Sequence, residues 1–140
     1  MRKLFLLLFA LLMFVQPVFS ANWEQYDKKE YIDSDSIRPN LDISGEIIPY
    51  EFTYWTKLLN DGSQYYKGIE QKFNKKVWYK LQQEIINCQK RTLALKSLII
   101  YDTNSQVIFS LEKQFYEIEP ISVVPDSVGE FLYNTICEKN

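Results

Sequence analysis

The sequence predicts an α+β domain: a mainly antiparallel, curved β-sheet with one C-terminal helix packed on it and tied to it by a disulfide. Three observations carry this. Aromatic and β-branched residues alternate in several short runs separated by turn signals, with ten Tyr, nine Phe and three Trp among 140 residues. A self-capped amphipathic stretch closes the chain from Pro125 to Cys137. The only two cysteines are Cys88 and Cys137, the second ending that stretch.

The start of the chain has the form of a secretory leader. Arg2 and Lys3 precede an unbroken apolar run from Leu4 to Val15, Gln16 and Pro17 break it, and Val18-Phe19-Ser20 before Ala21 fits a signal-peptidase site. The run is shorter than the ~20 apolar residues of a membrane span, so a transmembrane anchor is not expected. The expected division is a signal peptide over 1–20 and one domain over 21–140. No cysteine stands near the cleavage site to take a lipid. Export makes a single Cys88–Cys137 disulfide the simplest use of the two cysteines; a redox-active pair, the alternative, lacks a Cys-x-x-Cys spacing.

In the expected domain, Trp23 to Ile32 reads as one or two short strands. Asp33-Ser-Asp-Ser-Ile37 reads as a turn in which side-chain oxygens cap backbone N–H groups, because the glycine and distant glutamate of a calcium loop are missing. Pro39 to Gly45 reads as loop. Ile47 to Leu58 is a long strand with Phe52, Tyr54, Thr56 and Leu58 on one face and Thr53, Trp55 and Lys57 on the other. Asn60 to Ser63 is a turn.

Tyr65 to Lys76 has no regular period and reads as a solvated loop and strand edge. It is also the one basic cluster, with Lys67, Lys72, Lys75 and Lys76 interleaved with Tyr65 and Phe73, and Trp78 just beyond. Aromatic area beside positive charge makes these seven residues the candidate partner-binding surface. Val77 to Cys88 is a strand, with Glu84 in phase with Lys80 and Ile86. Arg91 to Tyr101 is another, with Leu93, Leu95, Ile99 and Tyr101 in phase. Asp102 to Ser105 is a hairpin turn leading into Gln106 to Leu111, and Glu112 to Val124 is an extended crossing connection.

Ser127 and Glu130 form a Ser-x-x-Glu capping box for the last helix, with Pro125 and Asp126 as extended backbone outside it. Val128, Phe131, Leu132, Thr135 and Ile136 make its apolar stripe. Cys137 falls beside that stripe, so a bond to Cys88 requires either a loosened last turn or a sheet that wraps around the helix.

The chemistry excluded is as informative. The chain has no histidine, which removes imidazole acid–base catalysis, Ser-His and Cys-His nucleophiles, and imidazole metal ligands. Glu84, Glu117, Glu119, Asp126 and Glu130 are carboxylates with no pattern that pairs two of them in a cleft. No enzyme, cofactor or metal site is expected. Without Arg2 and Lys3, 14 basic residues face 18 acidic ones, which argues against nucleic acid.

The order Trp23, Tyr31-Ile-Asp33, Ser36-Ile37, Trp55-Thr-Lys57, Ile85-Ile-Asn-Cys88, Tyr101-Asp102, Val107-Ile108 and Pro125-Asp-Ser-Val-Gly-Glu130 ending in Cys137 resembles the bacterial surface-adhesin protein E family. The resemblance implies a sheet of about six strands with the C-terminal helix disulfide-tied to its concave side. It also implies a cell-surface protein that can form a homodimer and that binds host extracellular-matrix or serum proteins of the vitronectin, laminin and plasminogen class. The alternative is a periplasmic or envelope interaction module without a host ligand. Either way the expected location is exported: the cell envelope, periplasm or outer surface, or the medium.

Overall fold

The computed structural model describes residues 20–138. The leader expected over 1–20 lies outside the described residues except for Ser20. Strands β1 (Trp23–Asp27), β2 (Glu30–Leu41) and β3 (Ile47–Leu59) are followed by helix α1 (Gln64–Phe73). Strands β4 (Val77–Asn87), β5 (Thr92–Asp102) and β6 (Val107–Glu112), a short 3-10 turn (Phe115–Glu117), β7 (Ile121–Ser122) and helix α2 (Val128–Cys137) complete the order. All pairings are antiparallel; β1 to β6 lie in sequence order, and β7 pairs with the start of β5. Each strand but the last joins its spatial neighbour through a local connection, so the α+β expectation holds.

Pairing fixes the faces. Phe52 sits opposite Ile86, Tyr54 opposite Glu84, Thr56 opposite Gln82 and Leu58 opposite Lys80. Ile32 opposes Thr56 and Leu93 opposes Ile86. That side carries both helices. Under α2, Ile32, Tyr54 and Ile86 form one apolar cluster with Leu132 and Ile136. Under α1, Tyr66 packs with Val77, Leu98 and Ile100. The opposite side carries no helix among the described residues and displays Trp23, Lys57, Tyr79 and Tyr101: the Lys57 ammonium lies 5.0 Å from the Trp23 ring and 5.1 Å from the Tyr79 ring, and Tyr79 stacks on Tyr101.

Several local expectations are corrected. The loop expected over Tyr65–Lys76 is mostly helix. Tyr66, Ile69 and Phe73 recur at i, i+3 and i+7 and meet the sheet, and Asn74 ends the helix in the left-handed conformation at φ 51°. Asp33–Ile37 is an irregularity within β2 rather than a turn: Asp33 accepts from the N–H groups of Asn22 and Asp35, and Ser36 Oγ accepts from Trp55 N–H. The loop expected from Pro39 begins only at Asp42, since β2 runs to Leu41. In β5 a register shift beside Lys96 changes the phase, so Leu98 and Ile100, not Ile99 and Tyr101, share the helix-covered side with Leu93.

At α2 the capping box forms in altered shape. Ser127 Oγ accepts from Glu130 N–H at 3.3 Å, while the Glu130 carboxylate reaches back to Asp126 N–H at 2.9 Å. Asp126 has φ 57°, left-handed rather than extended, and this turns its N–H toward Glu130. The buried stripe lies one residue away from the expected one. Leu132 and Ile136 are buried with Tyr133 and Cys137 against them, whereas Val128 and Phe131 stay 38% and 48% exposed, Phe131 at the margin stacked on Tyr26. Gly129 makes this possible: a β-carbon there would lie 2.9 Å from Leu93 Cδ1, so the helix backbone rests directly on β5. The shift brings Cys137 onto the packed face, and the Cys88–Cys137 disulfide closes with the helix intact to Cys137.

Candidate partner-binding surface

Helix α1 sits where β3 hands over to β4, so one end of the sheet carries the basic cluster. Its inner face is locked: Tyr66 is buried and its hydroxyl donates to Leu58 C=O at 3.2 Å, and Phe73 tilts against Phe109 with ring centroids 5.9 Å apart. Glu70 is the hinge post. Its carboxylate accepts from Val77 N–H at 3.0 Å, from the Asn60 amide and from Lys76 at 3.2 Å. The Val77 bond, then Lys76, hold its pKa below the usual carboxylate range.

The seven candidate residues do not form one continuous patch. Lys67, Lys75 and Lys76 surround a shallow depression of about 440 Å³ with Glu70, Gln71 and Asn74. Lys75 pairs with the buried Asp102 at 3.4 Å and Lys76 with Glu70, so two of the four lysines are already partnered. Lys67 and Lys72 make no ion pair among the described residues. Lys72 lies over the Phe73 ring at 5.4 Å. Tyr65 turns instead into a second cleft of about 580 Å³, where Lys80 lies 4.7 Å from its ring and Asp27, Glu30 and Asp61 add negative charge. Trp78 meets the edge of Tyr79, whose ring belongs to the helix-free side.

Between the two helices runs a polar strip that the sequence reading did not single out. Glu84 lies among Tyr54, Thr56 and Lys80, with Thr56 Oγ1 3.4 Å from its carboxylate. Burial outweighs these contacts and pushes the Glu84 pKa up to about 7. The Tyr54 hydroxyl is fully buried and faces this carboxylate, and burial, then the Glu84 charge, raise its pKa well above the usual phenol range. Burial likewise raises Tyr26, with Glu30 beside it, and lowers Lys80. Strand alternation placed Glu84 on one side; only the position of both helices makes that side enclosed.

Among the described residues no helix is long and apolar enough to cross a membrane. The fold resembles solved structures of Haemophilus influenzae protein E. Crystal form II aligns with TM-score 0.57 at 17% identity, covering 89% of this chain and 95% of that one. A second protein E structure gives TM-score 0.56 at 19% identity, covering 89% and 92%. These identities establish the shared fold. No curated protein matches the sequence. The surface-adhesin protein E family profile matches residues 19–138, nearly the whole chain. The chain therefore belongs to the surface-adhesin protein E family.

Proposed function

We propose that this chain is an exported, envelope-associated, non-enzymatic binding protein that contacts a host matrix or serum protein through the outer face of α1. The supporting observation is a helix, clamped at Tyr66, Glu70 and Phe73, that carries Lys67 and Lys72 free of ion pairs among the described residues, with Lys75 and Lys76 just beyond its C-terminal end. The Lys76 side chain is 79% exposed even while paired. A preorganised cationic face costs little ordering on binding and attracts an acidic partner over several ångströms.

The test is binding of the oxidised domain Ala21 to Asn140 to immobilised vitronectin, laminin and plasminogen across a salt series. Saturable binding that weakens with salt is expected for at least one. Lys67→Gln with Lys72→Gln removes the two lysines without ion pairs and leaves the Glu70 and Asp102 contacts in place. It should weaken binding about tenfold and flatten the salt dependence. Unchanged affinity would move the site off α1. No binding to any of the three, with the protein confined to the periplasm on fractionation, would favour the envelope-module reading.

A further inference from the structure

The opposite end of the sheet carries a different surface. The β2–β3 hairpin and the connection after β6 meet there around a pocket of about 210 Å³. Its back is Glu51. Asn40 donates to one carboxylate oxygen at 3.0 Å and Asn87 to the other at 3.1 Å. Both asparagines are nearly buried, at 4% and 8% exposure. Asn87 is held in register because its amide oxygen accepts from Lys90 N–H at 2.8 Å, which leaves its NH2 for Glu51. Two neutral amides orient the carboxylate but do not neutralise it. No cation pairs with Glu51 among the described residues, and each oxygen retains capacity for a further donor. The rest of the lining is apolar apart from Thr92: Ile85 and Ala94 from the sheet, Phe115, Ile118 and Pro120 from the connection.

We propose that this pocket receives a lysine or arginine side chain of a protein partner. An aliphatic stem fits between Phe115 and Ile118, and a cationic head completes the Glu51 carboxylate. The surroundings argue for a protein rather than a free amino acid. Phe115 in the pocket wall is 64% exposed and Tyr116 next to it is 84% exposed, and Leu41, Ile47 and Tyr50 of the β2–β3 hairpin are exposed as well. Such apolar surface is what an interface core buries around an anchoring side chain. The charge fits a basic partner: the segments 41–50 and 113–124 carry Asp42, Glu46, Glu117 and Glu119 against Lys113, with Lys90 in the turn beside Asn87 the further cation at this end. The same acids disfavour an anionic lipid surface. This inference does not rest on the reading of α1, which lies at the other end of β3 and β4.

The test uses the 15N-labelled domain Ala21 to Asn140, which contains every element described above, titrated with the N-acetyl methylamides of lysine, arginine and norleucine. Saturable shifts of the Asn40 and Asn87 side-chain amides are expected with lysine and arginine and not with norleucine, which has the stem without the charge. Glu51→Gln should weaken the response about tenfold or more. If its amide spectrum shows that this variant does not fold, Phe115→Ala removes an exposed wall without touching the asparagine pair and should weaken it severalfold. Equal response to norleucine, no saturable response to either cation, or a response that survives Glu51→Gln would overturn the proposal. So would sedimentation with phosphatidylethanolamine–phosphatidylglycerol vesicles that is lost in Tyr116→Ser, in a protein whose amides ignore the lysine derivative.

Discussion

Glu84 offers the sharpest quantitative test of the folded structure. Its pKa rises from an ordinary 4.5 to about 7 because burial on the helix-covered side of β4 disfavours the charged form. The fold therefore favours the protonated acid. As pH rises through 4.5, the unfolded chain releases its proton while the folded one keeps it, so stability falls. The decline is about 1.4 kcal/mol per pH unit and ends near pH 7, for a total of about 3 kcal/mol. The chain contains no histidine, so in the upper part of that window, above about pH 5.5, no other side chain ordinarily titrates. Glu84→Gln keeps the shape and a hydrogen-bonding group for Thr56 while removing the ionisation. The variant should match the native protein near pH 4.5 and exceed it by up to about 3 kcal/mol at pH 8. Urea unfolding followed by tryptophan fluorescence at four pH values, at constant ionic strength, reads this directly. A native stability flat from pH 5 to 8, or a variant with the same slope, would refute the placement of Glu84 in an enclosed strip.

Other perturbations have equally definite outcomes. Cys88→Ser, or reduction, should destabilise the protein by about 4 kcal/mol, since the bond closes a loop with sequence separation 49; an unchanged melting temperature under reducing conditions would contradict this. Gly129→Val should cost about 1–3 kcal/mol by lifting α2 off Leu93, whereas an exposed control at Asn134 should be near neutral in the same denaturant titration. Asp102 accepts from the N–H groups of Asn104 and Gln106 and from Lys75, and these contacts lower its pKa, the Gln106 bond most. Its contribution is therefore present at neutral pH and lost as pH falls through the acid range. Asp102→Ala should lower the melting temperature at pH 7 and lose that difference in strong acid, as calorimetry would show.

What the sequence revealed and concealed has physical reasons. The faces of β3 were legible because Phe52, Tyr54, Thr56 and Leu58 alternate without interruption and the pairing with β4 is unbroken. The end of the chain was legible because Ser127 and Glu130 carry their own start signal. Helix α1 was hidden because Gly68 lies inside it and lysines surround its three sheet-facing apolar positions, which leaves a weak stripe. The β5 phase was misread because a bulge shifts the alternation by one, and no residue near Lys96 advertises it. The Cys137 geometry was misread because the helical recurrence of Val128, Phe131, Leu132, Thr135 and Ile136 centres the stripe one residue away from the face that is buried. A glycine, which contributes no apolar area, marks the side of closest approach. The lysine cluster was visible as composition, yet its division between a depression, a cleft and the edge of β4 required coordinates. The Glu51 pocket joins residues up to 80 positions apart, from Asn40 to Pro120, which no local pattern announces.

The disulfide and Glu84 lie close together, Cys88 being four residues beyond Glu84 toward and past the end of β4, yet they act on different states. The disulfide restricts the unfolded chain, while Glu84 burdens the folded one at neutral pH and above. Effects on separate states add, provided that the bond does not also compress the strip. Reduced protein at pH 8 should then be the least stable form, and lowering the pH to 5 should restore most of the Glu84 increment whether or not the bond is present. A pH slope that vanishes on reduction would mean that the strip opens once α2 is untied. The tether from Cys137 would then be what keeps water from Glu84, and the disulfide would act on the folded state as well.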